Sequence, residues 1–268
     1  MQVAALQMVS GTGVQANLDA ARQLLEQASA QGAELAVLPE YFCLMGWKDS
    51  DKLAAQEMPG QGAIQDFLAS AARELKLWIV GGTVPLCASD SQHVRNSSLV
   101  YAPSGRCEAR YDKIHLFRFD NGQEQYDESR VIESGPAPVS FDLPSLDGHT
   151  WRVGLSICYD LRFPELYRAL KSDLLLVPSA FTWTTGQAHW ETLLRARAIE
   201  NLAYVVAAAQ GGVHENRRRT WGQSLIVDPW GEILSQRAQG PGVVVAELRA
   251  DRLDAVRRQL PALDHGVL

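Results

Sequence analysis

The chain of 268 residues is 46% hydrophobic and 21% charged, the mixture of an ordinary globular protein long enough to bury a large core. A net charge of -6 excludes a broad basic footprint for nucleic acid, and no apolar run reaches the roughly 20 residues that span a bilayer. The opening Val3-Ala4-Ala5-Leu6 reads as a strand and not as a secretory signal, so a soluble protein of the cytoplasm is expected, with neither membrane nor nucleic acid as partner.

In chain order, the pattern predicts a strand over 3–8 and then a helix capped by Asn17. The apolar face of that helix is Leu18, Ala21, Leu24, Leu25 and Ala28, and Gly32 ends it. A short apolar strand over 35–38 runs into Pro39-Glu40, and 64–75 reads as helix. Residues 77–84, 98–102 and 106–111 read as strands, the last two joined by Pro103-Ser104-Gly105. The segment 118–125 is irregular. The same order then returns: a strand over 151–158, a helix over 164–170 opened by Pro164, a strand over 174–177, a helix over 188–201 and a strand over 204–209. A hairpin follows around Pro229-Trp230-Gly231, then a strand over 243–248 and a tail helix over 251–260. Individual residues repeat as well. Ser98, Leu99, Pro103 and Gly105 align with Ser224, Leu225, Pro229 and Gly231 at one offset, and Pro39 and Phe42 with Pro178 and Phe181. Two similar halves without a linker between them predict an α/β protein: one domain over 1–268, built as a four-layer α-β-β-α sandwich with an internal pseudo-two-fold repeat.

Cysteines stand at 43, 87, 107 and 158, with neither a CxxC pair nor zinc-like histidine spacing, so reduced thiols and no metal or other cofactor are expected. Three read as small apolar fillers. Cys158, within Leu155-Ser156-Ile157-Cys158-Tyr159, would by itself also read as inert core. Asp160, Arg162 and Glu165 crowd beside it, however, and the helix opened by Pro164 would lend it thiolate character. Ligands collect at the C-terminal ends of strands in α/β folds, and Glu40, Lys113 and Cys158 all fall there. As alternatives, Glu40 reads as a surface acid and Lys113 as a solvated amine.

Three segments carry a resemblance. Leu38-Pro39-Glu40-Tyr41-Phe42, Tyr111-Asp112-Lys113-Ile114-His115-Leu116-Phe117 and Cys158-Tyr159-Asp160-Leu161-Arg162-Phe163-Pro164-Glu165 resemble, in order and spacing, the signature motifs of the nitrilase (carbon–nitrogen hydrolase) superfamily. The resemblance implies the α-β-β-α fold and a cysteine-dependent amidase working through a thioester. In it Cys158 is the nucleophile, Glu40 the general base, and Lys113 with the Tyr159 N–H the oxyanion donors. A second glutamate that orients the lysine is carried to Glu128, with Asp127 as its rival. A homodimer or higher homo-oligomer is implied too.

The later segments Pro178-Ser179-Ala180-Phe181-Thr182, His189-Trp190-Glu191, Ala207-Ala208-Ala209-Gln210 and Asp228-Pro229-Trp230-Gly231 resemble the deaminated glutathione amidase branch. Gln223 departs from it, standing where that branch usually has His. The implied substrate is a small amide of a 2-oxo acid, cleaved to 2-oxoglutarate and cysteinylglycine. An ω-amidase acting on 2-oxoglutaramate or 2-oxosuccinamate is the nearest alternative, and a non-catalytic interaction protein on the same fold is the alternative of another class. Arg162 is the candidate partner for a substrate carboxylate, set against a salt bridge to Asp160 or Glu165. Phe181 and Thr185 are candidate pocket residues. The run Arg217-Arg218-Arg219 reads first as a solvated loop and second as a holder of an anionic substrate tail.

Overall fold

A computed structural model describes residues 1–267, so Leu268, the last position of the expected domain, lies outside the described residues. Two sheets form its centre. The first runs in the order Gly242–Glu247, Gln2–Gln7, Leu35–Val37, Trp78–Val80, Val94–Tyr101 and Val84–Cys87, with Cys107–Asp112 also paired to Val94–Tyr101. The second runs Ile233–Arg237, Ser224–Val227, Tyr204–Ala207, Leu174–Leu176, Thr150–Leu155 and Ser140–Pro144. Each contains three neighbouring parallel strands. Helices Val14–Ala30 and Ala63–Leu75 make the crossovers of the first sheet, and Pro164–Leu170 and Trp183–Asn201 those of the second. Both halves thus repeat one order of elements.

Period-two alternation explains the layering. Val3, Ala5, Leu35, Val37 and Val80 pack with Val153, Leu155, Leu176, Val205 and Leu225 of the other sheet. Their chain neighbours Ala4, Leu6, Ala36, Leu38 and Ile79 point the opposite way, onto Leu18, Ala21, Leu25, Ile64 and Leu68 of the two helices. The central parallel strands bury both faces, and the result is the four-layer α-β-β-α sandwich. Among the described residues no helix is long and apolar enough to cross a membrane.

Several local expectations are corrected. The helix at 14–30 starts at Val14. The Asn17 side chain is buried within its first turn, accepting from the Gly11 N–H at 2.7 Å and donating to the Cys43 carbonyl at 2.9 Å. It ties loops together and does not cap. The segment 118–125 is not irregular throughout, because Arg118–Asp120 and Gln125–Asp127 pair as a hairpin. Gly211–Val213 and Arg219–Trp221 form another hairpin that the apolar pattern does not reveal. Of the expected apolar cysteines, Cys107 is exposed.

The expected strand over 77–84 is two strands, Trp78–Val80 and Val84–Cys87, both paired with Val94–Tyr101. Gly81-Gly82 breaks it. Gly82 has φ +50°, and a Cβ there would lie 2.0 Å from the Pro39 carbonyl oxygen. Only glycine permits both that backbone and that approach to the chain carrying Glu40. Gly82→Ala is expected to destabilise the protein by about 2–3 kcal/mol and to depress activity beyond its effect on folding. Urea titration together with kcat at a temperature well below melting checks this.

Candidate active site

Glu40, Lys113 and Cys158 come from different strand ends and meet at one edge of the sandwich. Glu40 lies just past Leu35–Val37, in a turn held by the Tyr41 N–H, which donates to Thr83 Oγ1 at 2.9 Å. Lys113 follows Cys107–Asp112 directly, its N–H donating to the Asn96 carbonyl at 3.0 Å. The strand predicted to run to Cys158 ends earlier, as Thr150–Leu155, and Cys158 lies beyond it and opens the 3₁₀ turn Cys158–Arg162. Its φ is +50°, an uncommon conformation for a residue with a side chain. The Cys158 N–H donates to the Pro178 carbonyl at 3.0 Å, which fixes the turn against the next strand end.

Asp160 locks this turn to the lysine segment. One of its oxygens accepts from the Ile157 N–H at 2.8 Å and from the Tyr111 hydroxyl at 2.7 Å. The other accepts from the His115 N–H at 3.0 Å and lies 2.7 Å from His115 Nδ1. A fully buried carboxylate with all its partners present is a rigid joint between two motifs.

The charged centre is equally well saturated. Lys113 Nζ donates to Glu40 Oε1 at 2.8 Å and lies 2.8 and 3.0 Å from the two Glu128 oxygens. Glu40 Oε1 also accepts from Asn96 Nδ2 and its Oε2 from the Ala180 N–H, both at 2.9 Å. Glu128 accepts from the Tyr41 hydroxyl and the Phe117 N–H, both at 2.7 Å. The Asp127 carboxylate turns outward to Ser129 and Arg130. Asn96 is a supporting residue that the sequence did not single out, and Tyr41 and Asp160 stood in the quoted motifs without these roles. Their partners Glu40, Glu128 and His115 lie far along the chain, so no local pattern marks the pairings.

Burial opposes charge on Lys113, but Glu128 and Glu40 more than compensate and hold its ammonium well above the ordinary lysine range. Burial likewise lifts Glu128, and Lys113 with the surrounding donors pulls it below its ordinary value. Burial and then the Glu40 carboxylate push the Cys158 thiol well up, with Lys113 only partly offsetting them. The thiolate expected from a nearby helix end is therefore not the resting form. A full 3₁₀ turn separates Cys158 from the helix at Pro164, and the buried carboxylates dominate.

A small cavity opens onto these groups, lined by Glu40, Glu128, Cys158, Tyr159, Phe181, Thr185 and Arg218 among others. The Tyr159 N–H makes no hydrogen bond among the described residues. Phe181 packs on Trp190, and Thr185 bonds through its hydroxyl to Thr182, the cap of helix Trp183–Asn201. Arg162 does not itself line the cavity. It lies over the rings of Tyr159 and Phe181, which do, and within 3.3 Å of His189 Nδ1. The alternative ion pairs to Asp160 and Glu165 are not formed. The guanidinium that does reach the wall is Arg218, from the run read first as a solvated loop. No group of three or more His, Cys, Asp or Glu among the described residues is placed to hold a metal ion. The arrangement offers a thiol, a proton acceptor and a fixed cation around one small space, the set needed for acyl transfer from an amide.

A family model described as carbon-nitrogen hydrolase matches residues 2–258. The chain is 42% identical to a protein of Synechocystis sp. named deaminated glutathione amidase, over 98% of this chain and 97% of that one. It superposes on the NitFhit crystal structure from C. elegans with a TM-score of 0.87 at 35% identity, covering 99% of this chain and 65% of that longer one. It also superposes on a mutant amidase from Nesterenkonia sp. AN1 whose active-site cysteine carries acrylamide by Michael addition. There the TM-score is 0.77 at 27% identity, over 97% of this chain and 98% of that one.

Proposed function

This chain belongs to the carbon–nitrogen hydrolase family, and we propose that it hydrolyses deaminated glutathione to 2-oxoglutarate and cysteinylglycine through a Cys158 thioester. The observation that carries the chemistry is the Glu40–Lys113–Glu128 charge chain, buried at Glu40 and Lys113 and partly buried at Glu128, beside Cys158 on the cavity wall. Glu40 takes the thiol proton as Sγ attacks the amide carbon, so the thiolate forms only as it is consumed. The oxyanion is held by Lys113 Nζ and the free Tyr159 N–H, donors worth about 3 kcal/mol each. Collapse breaks the C–N bond, and the proton on Glu40 leaves with the amine. Glu40 then takes a proton from water, which attacks the thioester, and the thiol is restored as the acid departs. Glu128 positions Lys113 by accepting from it bidentately. No step calls on a cofactor.

The substrate reading rests on the similarity to the Synechocystis amidase and on two guanidiniums that suit carboxylates, Arg218 on the cavity wall and Arg162 over the wall residues Tyr159 and Phe181. Residues 1–268 act as one catalytic domain of the cytoplasm. The assembly is a homodimer, for which the exposed Ile199 and Trp230, neighbours around Gly231, offer an apolar face. The deciding measurement is 2-oxoglutarate release from deaminated glutathione and from 2-oxoglutaramate in parallel, coupled to a dehydrogenase. The expected result is a kcat/KM at least about tenfold higher for deaminated glutathione, as a longer substrate gains binding energy from its remote part. A preference for 2-oxoglutaramate would make the protein an ω-amidase with the same chemistry.

A further inference from the structure

Arg218 stands at a boundary. It lines the reaction cavity, and it also lines a larger groove outside it with Trp47, Lys48, Lys52, Asn216 and Arg217. Its Nη2 donates to the Ala180 carbonyl at 3.3 Å, and its guanidinium lies over the Tyr126 ring at 5.2 Å. Its Nε is buried and has no acceptor. A guanidinium N–H removed from water without a partner is costly, so the position is built to receive an anion.

The groove has the matching charge. Lys52 is paired with Asp49 at 3.0 Å, but Lys48, Arg217 and Arg218 have no carboxylate within ion-pair distance among the described residues. Three unpaired cations on one concave surface are unexpected in a chain of net charge -6. The walls are also fixed. Asn216 Nδ2 donates to the Gly46 carbonyl at 2.7 Å and so ties the segment bearing Trp47 and Lys48 to the turn bearing Arg217 and Arg218. That turn is closed by the Arg217 N–H donating to the His214 carbonyl at 2.8 Å. His214 is itself buried, with Nδ1 2.9 Å from the Ser10 carbonyl and Nε2 2.8 Å from the Thr220 hydroxyl. The groove is one side chain away from the chemistry, because Tyr41 lines it while its hydroxyl reaches Glu128.

We infer that this groove is a leaving-group subsite, in which Lys48, Arg217 and Arg218 hold the terminal carboxylate of a peptide-like amine attached to the scissile amide. The inference rests on the amidase reading above and adds how the tail is recognised. Two extended residues span about 7 Å, a reach suited to passing from the cavity wall at Arg218 into the groove. Arg162, against Phe181 and His189, is left for the carboxylate of the acyl part.

The test compares deaminated glutathione with its C-terminal carboxamide, on the wild-type enzyme and on Lys48→Ala/Arg217→Ala, both positions being exposed. The wild type should favour the acid-ended substrate about tenfold in kcat/KM, mainly through KM, and the preference should shrink with rising ionic strength. In the double variant, which keeps Arg218, the ratio of the two specificity constants should fall to about two- to threefold. Equal kcat/KM for both substrates on the wild type, or an unchanged ratio in the variant, overturns the subsite while leaving the amidase reading intact. Failure of the wild type to turn over either substrate overturns that reading and the subsite with it.

Discussion

Cys158→Ala lowers kcat on the preferred amide by about 10⁴- to 10⁶-fold, the range found when a covalent nucleophile is removed from a site that otherwise stays assembled. The fold should survive, because the charges beside Cys158 are satisfied without it. Glu40 keeps its bonds from Lys113, Asn96 and the Ala180 N–H, and Asp160 still locks the turn. A shift in stability of about 1 kcal/mol, and so of roughly 2–4 °C in Tm, is expected. The backbone supplies a second comparison. Cys158 sits at φ +50°, where a side chain is strained and glycine is not. Cys158→Gly should therefore be as inactive as Cys158→Ala and no less stable, since relief of strain offsets the looser unfolded chain. Single-turnover kinetics with mass spectrometry should find an acyl adduct on the wild type and none on either variant. Residual activity within a hundredfold of wild type would remove Cys158 from the mechanism.

The second large effect is on stability as much as on rate. Lys113→Met removes the ammonium between buried Glu40 and partly buried Glu128, and breaking the buried Lys113–Glu40 pair in this way costs about 3–5 kcal/mol. Activity should fall by at least about 10³-fold through loss of the oxyanion donor and of the set position of Glu40. The two losses are separable. Lys113→Met/Glu128→Gln removes one stranded charge, so it should regain part of the stability and none of the rate. The pH dependence has a definite sign. In the wild type Glu128 is held below its ordinary 4.5, so its contribution is present above that pH and is lost as pH falls through the lower native value. Lys113 is held above its ordinary 10.5, so its contribution is full below that pH and is lost only as pH rises through the higher native value. Wild-type stability from this pair is accordingly flat between pH 5 and 9. In Lys113→Met the Tyr41 and Phe117 donors remain but the largest offset to burial of Glu128 is gone, so its carboxyl is pushed up from the wild-type position and stability should fall as pH rises from about 5 to 8. Urea midpoints across that range would show the slope. A flat profile in the variant would mean that Glu128 had found another cation or reached water.

The buried lysine also explains the resting state of the thiol. One ammonium shared between two carboxylates has little influence left for Cys158, so the thiol stays protonated until substrate arrives. A protonated resting cysteine is less open to adventitious alkylation and oxidation than a standing thiolate. Exposed Cys107 is then expected to react with a general alkylating reagent irrespective of substrate, so protection by substrate, and not overall labelling, identifies Cys158.

The sequence by itself determined the layered fold and singled out the three residues proposed to react. Both are written locally: alternating apolar strands, helix periods and turn glycines lie within short windows, and Glu40, Lys113 and Cys158 each sit in a distinctive motif at a strand end. What holds and surrounds the trio was decided only by tertiary structure. Asn96 beside Glu40, Tyr41 on Glu128 and Asp160 across to His115 are hydrogen bonds between residues far apart in the chain, and a single sequence carries no signal of such pairings. The strand at 77–84 was divided because Gly82 must clear the Pro39 carbonyl, a contact made only when two strand ends are brought together. The thiol's protonation followed burial and opposing charges that local sequence cannot weigh, which is why the nearby helix end misled. Arg218 is the sharpest case. In the sequence it is the middle of a basic run, and the default for such a run is solvent. Folding buries its Nε without an acceptor on the cavity wall and leaves Arg217 and Arg219 exposed, since a hairpin turn directs adjacent side chains to different surroundings.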